Sequence, residues 1–307
     1  MRSQPKKKKP LWLKITGSIV LLIVIAVGIY GFMVYRSVSG AVETMHQPIK
    51  YKTEKREQEL TLTEQEPFSV LMLGVDERSG DKGRSDTIIV ITVNPNDQSM
   101  KMLSIPRDTR TEIVGKGIDD KINHAYAFGN EEMAMATVEN FLDIPIDYYI
   151  KVNMEGFKDI VDAVGGITVN SSLAFAQGNS SFTEGTNTLN GDEALSYVRM
   201  RKEDPNGDFG RQDRQRQVIQ GVIKKGMSLN TLTNYDDILD ALGKNVRTNL
   251  SFNEMRDIQK NYKNAVGKID QLTISGNGQR INDIWYLIVS NEEQLKVQEE
   301  LKSHLDI

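Results

Sequence analysis

The chain has 307 residues, no cysteine and a net charge of −4, so it can build neither a disulfide framework nor a thiolate metal site. The charge is divided unevenly. Residues 1–66 hold 11 Lys/Arg against 6 Asp/Glu, and the remaining 241 hold 27 against 36, so the main body is acidic and lacks the broad basic surface that general nucleic-acid binding needs.

Residues 1–14 form a basic tail, with Lys6, Lys7, Lys8 and Lys9 just ahead of an apolar run over 15–35 that contains no charge. At about 1.5 Å per residue a helix of that length matches the roughly 30 Å hydrocarbon core of a bilayer. The run exceeds the about 7–15 residues of a cleaved signal core and is apolar all round, unlike a surface helix. It is read as a single-pass transmembrane anchor. The lysine bias puts the N-terminus in the cytoplasm and everything after residue 35 outside the cell membrane. Residues 36–66 are polar and are expected as a stalk or linker, leaving 67–307 as the extracellular catalytic domain.

Within that domain the run Phe68–Gly74 predicts a buried strand, Thr87–Asn94 a second and Ser99–Ile105 a third, with a turn at Asn94–Asp97. Helices are expected near Glu131–Leu142, Met154–Val164, Gly191–Tyr197, Arg211–Met227, Phe252–Ala265 and Asn291–Ser303. Strands are expected near Tyr148–Val152, Ile167–Asn170, Gln271–Ser275 and Ile284–Val289. With no internal repeat, the pattern predicts an α/β fold: an α/β/α layered domain with a central mixed sheet, preceded by one N-terminal transmembrane helix.

The first three strands concentrate the chemistry. If each short connection reverses the chain, one rim of the sheet collects Asp76, then Arg84 and Asp86, then Arg107 and Asp108. Two carboxylates on one rim suit a hard cation such as Mg²⁺, with Mn²⁺ as the alternative, which takes phosphate and water oxygens for its other positions. Arginines accompany them: Arg199 and Arg201 in YVRMRK, then Arg211, Arg214 and Arg216 in GDFGRQDRQRQ. Guanidinium groups bind phosphate oxygens through paired donors and keep their charge.

At about 100° per residue, Arg211, Arg214, Gln215, Val218 and Val222 share one broad sector of the 211–227 helix. Arg211 and Arg214 thus point with the apolar face, a costly place for unpaired charge, and sit in the first turn, where the dipole disfavours cations. An anionic ligand at the helix start relieves both problems; internal pairing with Asp204, Asp208 or Asp213 is the competing arrangement. Arg216 is assigned to the surface. His124, read as the only histidine well inside the domain, is assigned a structural hydrogen bond. GKG at 115–117 lacks the spacing of a P-loop. Acids plus several arginines are phosphoryl-transfer equipment.

The stretches FSVLMLGVDER, GRSDTIIVITVNP, MLSIPRDT, DKINHAYAFG, VNMEGFKDIVDAVGGITVN, LNGDEALSYVRMRK and GDFGRQDRQRQVI occur in this order over most of Phe68–Ile223. They resemble the LytR–CpsA–Psr family of bacterial cell-wall enzymes, in its teichoic-acid transferase branch. The resemblance implies an α/β/α domain with an apolar pocket for a polyprenyl chain. It implies transfer of an anionic glycopolymer, such as wall teichoic acid, from an undecaprenyl-pyrophosphate carrier to the N-acetylmuramic acid C6 hydroxyl of peptidoglycan, forming a phosphodiester. By motif match Asp76 and Asp86 hold Mg²⁺. Arg84, Arg107, Arg199, Arg201, Arg211 and Arg214 grip the pyrophosphate, joined by Gln217, and Asp76, Asp86, Arg84 and Arg107 form the catalytic set. A polyprenyl-pyrophosphate pyrophosphatase and a non-catalytic envelope regulator are the alternative functions.

Overall fold

In a computed structural model of the chain, residues 36–37, 39–56, 58–76, 83–228 and 242–307 are described. The expected anchor at 15–35 and two residues of the GVDER motif, 77 and 78, lie outside them. Among the described residues no helix is long and apolar enough to cross a membrane.

The strands are β1 (Phe68–Val75), β2 (Ser85–Asn94), β3 (Ser99–Ser104), β4 (Arg110–Ile113), β5 (Ile118–Lys121), β6 (Tyr148–Asn153), β7 (Ile167–Ser171), β8 (Phe175–Gln177), β9 (Ser180–Phe182), β10 (Gly185–Leu189), β11 (Val246–Thr248), β12 (Lys268–Thr273), β13 (Asn277–Ile281) and β14 (Ile284–Ile288). The helices are α1 (His124–Leu142), α2 (Met154–Ala163), α3 (Gly191–Arg199), α4 (Asp208–Ser228), α5 (Phe252–Asn261) and α6 (Asn291–His304). A six-stranded mixed sheet has the order β11-β6-β1-β2-β3-β12. As expected, β1–β2 and β2–β3 are antiparallel; β6 adds parallel to β1 and β12 parallel to β3.

The central strands read as continuous apolar runs because both faces of the sheet are covered. Leu71, Leu73, Ile88, Val90 and Leu103 face a core completed by Phe141 and Leu142 of α1 and Leu301 of α6. The alternate residues Phe68, Val70, Ile89, Ile91 and Met102 face the other side, toward Ile219 and Ile223 of α4 and Ile258 of α5. A separate core joins α2, α3 and α4 to the β7–β10 pair. The β2–β3 reversal is closed by Asn94, whose Oδ1 accepts from the Asn96 and Asp97 amides at 2.9 and 3.1 Å, an Asx turn. Asn190 and Ser251 start α3 and α5 with capping boxes to Glu193 and Glu254.

Two expectations are corrected, and the GKG stretch is given its place between them. Residues 36–66 are not a free-standing spacer over their described part. Val42 and Met45 are buried against Val246, the Gln47 amide donates to the Thr248 carbonyl at 2.8 Å, and Arg56 Nε lies 2.5 Å from Asp147 Oδ1. Few apolar residues suffice to dock this polar segment. The GKG stretch is the turn of the β4–β5 hairpin. Gly115 and Gly117 adopt φ of +85° and +62°, a region open to glycine at no steric cost.

Secondly, His124 is not the innermost histidine. It sits 2.7 Å from Asp120, in the structural hydrogen bond expected of it, but His304 is buried at 3% exposure. Thr92 Oγ1 lies 2.7 Å from its Nδ1 and Ser99 Oγ 3.0 Å from its Nε2, tying α6 to the β2–β3 hairpin. Burial, reinforced by Lys101, holds the His304 pKa below its ordinary value. The unfolded chain therefore takes up this proton at a higher pH than the fold does. The fold should lose stability as pH falls through the ordinary histidine value of about 6.5 toward the depressed one. Urea midpoints at pH 7 and pH 5 should show that loss, and His304→Gln should flatten it.

Candidate active site

The rim forms as the antiparallel hairpins require, with one irregularity. Gly74 pairs with Thr87 but Val75 pairs with Ser85, so Asp86 is the extra residue of a bulge. Strict alternation would send Asp86 and Thr87 to opposite faces; the bulge lets both line the same cavity. Asp76, one residue beyond β1, lines it as well. Arg107, just past β3, places Nη1 2.7 Å from Asp86 Oδ1 and Nε 3.7 Å from Asp108 Oδ2. Burial opposes the Arg107 charge, but its bond to Asp86 and the nearby Asp108 and Asp208 lift its pKa above the ordinary value. Asp108 is held on its other side by Lys121 Nζ, 2.6 Å from Oδ1.

Helices α3 and α4 bring the second group. Arg199, the last residue of α3, is exposed and lines the cavity. Asp208 opens α4, and its Oδ1 lies 2.7 Å from Arg211 Nη2 and 3.6 Å from Arg201 Nε. Burial pulls the Arg211 pKa below its ordinary value; Asp208 opposes that fall and Arg107 adds to it. Asp86 and Asp208 act on both Arg107 and Arg211, and Arg107 and Arg201 act on Arg211, which links the two groups electrostatically. Arg84 stands exposed at the entry to β2.

Behind this mouth lies a cavity of about 1050 Å³. It runs between the sheet and the helices, lined by Val70 and Met72 of β1, Ile150 of β6, Phe157 of α2 and Val218 and Val222 of α4. Met45, from the segment docked on β11, lines it too. The lining is overwhelmingly apolar, and its polar residues include the mouth groups Asp76, Asp86, Arg199, Arg211 and Gln215.

Two predicted ligand groups are spent on the protein itself. Arg214 is 3% exposed. Its Nη1 lies 2.6 Å from Asp204 Oδ2, while Nε and Nη2 donate to the Tyr197 and Met200 carbonyls at 3.1 and 2.6 Å. Internal pairing, the competing arrangement, holds for Arg214, with Asp204 as partner. Gln217 donates to Asp213 Oδ2 at 2.8 Å and accepts from the Tyr197 hydroxyl at 3.2 Å. Arg216 is also not a surface residue. It is buried, and its Nε donates to Gln271 Oε1 of β12 at 2.9 Å. Conversely, Gln215, one helical turn beyond Arg211 on the same stripe as Val218 and Val222, lines the cavity beside the predicted residues. Asp208, named in the sequence only as one of three possible internal partners, is the one that Arg211 meets, at 2.7 Å.

Asp76 and Asp86 both line the cavity; a hard cation held there would draw its remaining ligands from water and substrate phosphate. They do not amount to a self-sufficient cage, since among the described residues no group of three or more acidic or histidine side chains gathers to hold a metal.

The layering and the mouth define a mixed-sheet α/β/α domain whose arginine-rich anion site opens on an apolar cavity. The chain belongs to the LytR_cpsA_psr family, which it matches over residues 32–303. It is 50% identical over 306 residues to the polyisoprenyl-teichoic acid–peptidoglycan teichoic acid transferase TagU of Bacillus subtilis (strain 168), covering 100% of both chains. The crystal structure of B. subtilis TagU is 51% identical, with a TM-score of 0.64 over 78% of this chain and 97% of that one. The LytR-CPS2A-psr family protein YwtF (TagT) with bound octaprenyl pyrophosphate lipid is 28% identical, with a TM-score of 0.70 over 85% of this chain and 100% of that one.

Proposed function

We propose that the chain is an enzyme that transfers an anionic glycopolymer of the teichoic-acid type from a polyprenyl-pyrophosphate carrier to peptidoglycan. One observation carries this reading: the acid–arginine mouth opens directly on a large apolar cavity. Such a site matches an amphiphile with a diphosphate head and a hydrocarbon tail. The names of the similar transferases and the lipid bound by YwtF (TagT) support it. The finer assignments are an undecaprenyl carrier and the C6 hydroxyl of N-acetylmuramic acid as acceptor.

In the reaction the acceptor hydroxyl attacks the glycan-side phosphorus. A new P–O bond forms, the bridging P–O bond breaks and polyprenyl phosphate leaves. The hydroxyl proton passes to a rim carboxylate, for which Asp76 and Asp86 are the two at the cavity. Arg107, Arg201 and Arg211 take the charge on the phosphate oxygens, aided by Arg84 and Arg199 at the rim. Asp76 and Asp86 would hold a Mg²⁺, which when bound supplies further charge neutralisation. The cavity seats the tail and keeps water from competing with the acceptor. The run at 15–35 serves as the anchor, with the domain on the outer face of the cell membrane. Met45 lines the cavity about ten residues beyond that run, which keeps the tail site close to the bilayer.

Full-length protein in detergent, given lipid-linked glycopolymer and glycan strands, should form conjugate and release polyprenyl phosphate in equal amounts. Polyprenyl phosphate without conjugate would make the protein a pyrophosphatase. Binding with no release would make it a non-catalytic envelope module.

A further inference from the structure

Helix α4 carries the arginines of two Asp–Arg pairs of opposite character. Arg214 and Asp204 are saturated: the guanidinium spends three nitrogens on a carboxylate and two carbonyls within hydrogen-bond reach. Arg211 and Asp208 touch without bonding well. Asp208 Oδ1 lies 2.7 Å from Arg211 Nη2, yet among the described residues both Asp208 Oδ1 and Arg211 Nε are buried without a hydrogen-bond partner. Among the described residues the other Asp208 oxygen is held by Gln212 Nε2 alone, at 3.3 Å. The same Oδ1 is 3.6 Å from Arg201 Nε. One carboxylate oxygen thus sits between two arginines of the mouth, at the start of a helix whose dipole favours an anion, and satisfies neither in full.

A phosphate group would do better there. Its several oxygens can accept from Nε and Nη2 of one guanidinium together, the paired geometry that a single misaligned carboxylate oxygen does not supply. We infer that Asp208 is a built-in competitor of the phosphate subsite: it holds Arg201 and Arg211 in the free protein and yields them to the phosphate oxygens of the ligand. This deepens the proposed function and rests on it. An internal anion of this kind weakens binding of substrate and product alike. It thereby speeds departure of polyprenyl phosphate, because the carboxylate returns to the arginines as the product leaves. A residue that merely positions the arginines would have the opposite effect when removed.

The test is calorimetric titration of full-length protein in detergent with geranylgeranyl diphosphate and with geranylgeranyl monophosphate. Asp208→Asn keeps the shape of the side chain and a helix-starting residue, and Asp208→Glu keeps the charge. Asp208→Asn should lower Kd for both lipids about tenfold, as expected for removing one competing charge from a partly buried site, with Asp208→Glu near wild type. In turnover, KM and kcat of Asp208→Asn should fall together, product release having become slower. Unchanged or weaker binding by Asp208→Asn, while the wild type binds the diphosphate lipid, overturns the competitor role alone. A wild type that binds neither lipid overturns the functional reading beneath it.

Discussion

Replacing Arg211 with alanine should reduce glycopolymer transfer by about a thousandfold, the scale of losing one preorganised electrostatic group from a water-poor site, while leaving the fold intact. Arg211 lines the cavity at its charged end, and burial holds its pKa below the ordinary value. The fold thus gains little from this cation and bears its desolvation. Removing it leaves Asp208 with Arg201 at 3.6 Å and relieves a buried charge, so the two stability effects oppose and the melting temperature should shift only slightly. Lysine should not rescue transfer, because a point charge lacks the planar fork that spans two phosphate oxygens. Initial rates with lipid-linked glycopolymer, run beside a thermal melt, check both halves. Transfer within a few fold of wild type would remove Arg211 from the reaction.

The contrast between Arg211 and its neighbour three residues on shows where the sequence was readable. The cavity-facing stripe of α4 is Arg211, Gln215, Val218, Ile219, Val222 and Ile223. At about 100° per residue its centre lies roughly 40° past Arg211, which leaves Arg214 about 100° away on the far flank. A broad sector therefore joined two arginines that the packed helix separates. The first three strands were legible because burial on both faces makes them continuous apolar runs with one Asx turn between them. Their antiparallel pairing was enough to place Asp76, Asp86 and Arg107 on one rim. The bulge at Asp86 was not legible, since a register shift leaves no mark in hydrophobicity. Hairpins β4–β5 and β8–β9 escaped notice for another reason. Their strands have only 4 and 3 residues with at most one buried position each, too short for an alternation to emerge. The polar character of 36–66 concealed the few anchors, Val42, Met45 and Leu62, that dock it. Asp208 stands at the end of a loop, where charge has no periodicity to assign it a direction.

Arg214→Ala should unfold the α3–α4 seam rather than disable the chemistry. The Arg214 and Asp204 side chains are 4% and 1% exposed. The guanidinium also lies over the rings of Phe175 and Tyr197, at 5.5 and 6.0 Å. It therefore joins α3, the loop after it, β8 and α4 through one buried group. Truncation leaves the Asp204 carboxylate buried without its cation, a loss of about 3–5 kcal/mol for a broken buried pair. For a domain of this size that corresponds to roughly 10 °C or more in Tm. A third substitution tests the same seam without removing either charge. Asp204 Oδ2 sits 1.9 Å from the position a Cβ on Gly210 would occupy, so Gly210→Ala must push the carboxylate off Arg214 and should destabilise to a similar degree. If Arg214 instead gripped substrate, Arg214→Ala would melt like wild type and fail only in transfer, and Gly210→Ala would leave the Arg214 role untouched. Thermal melts of Arg214→Ala, Gly210→Ala and Arg211→Ala side by side decide between these outcomes, because only the buried-pair account groups the first two together and sets the third apart.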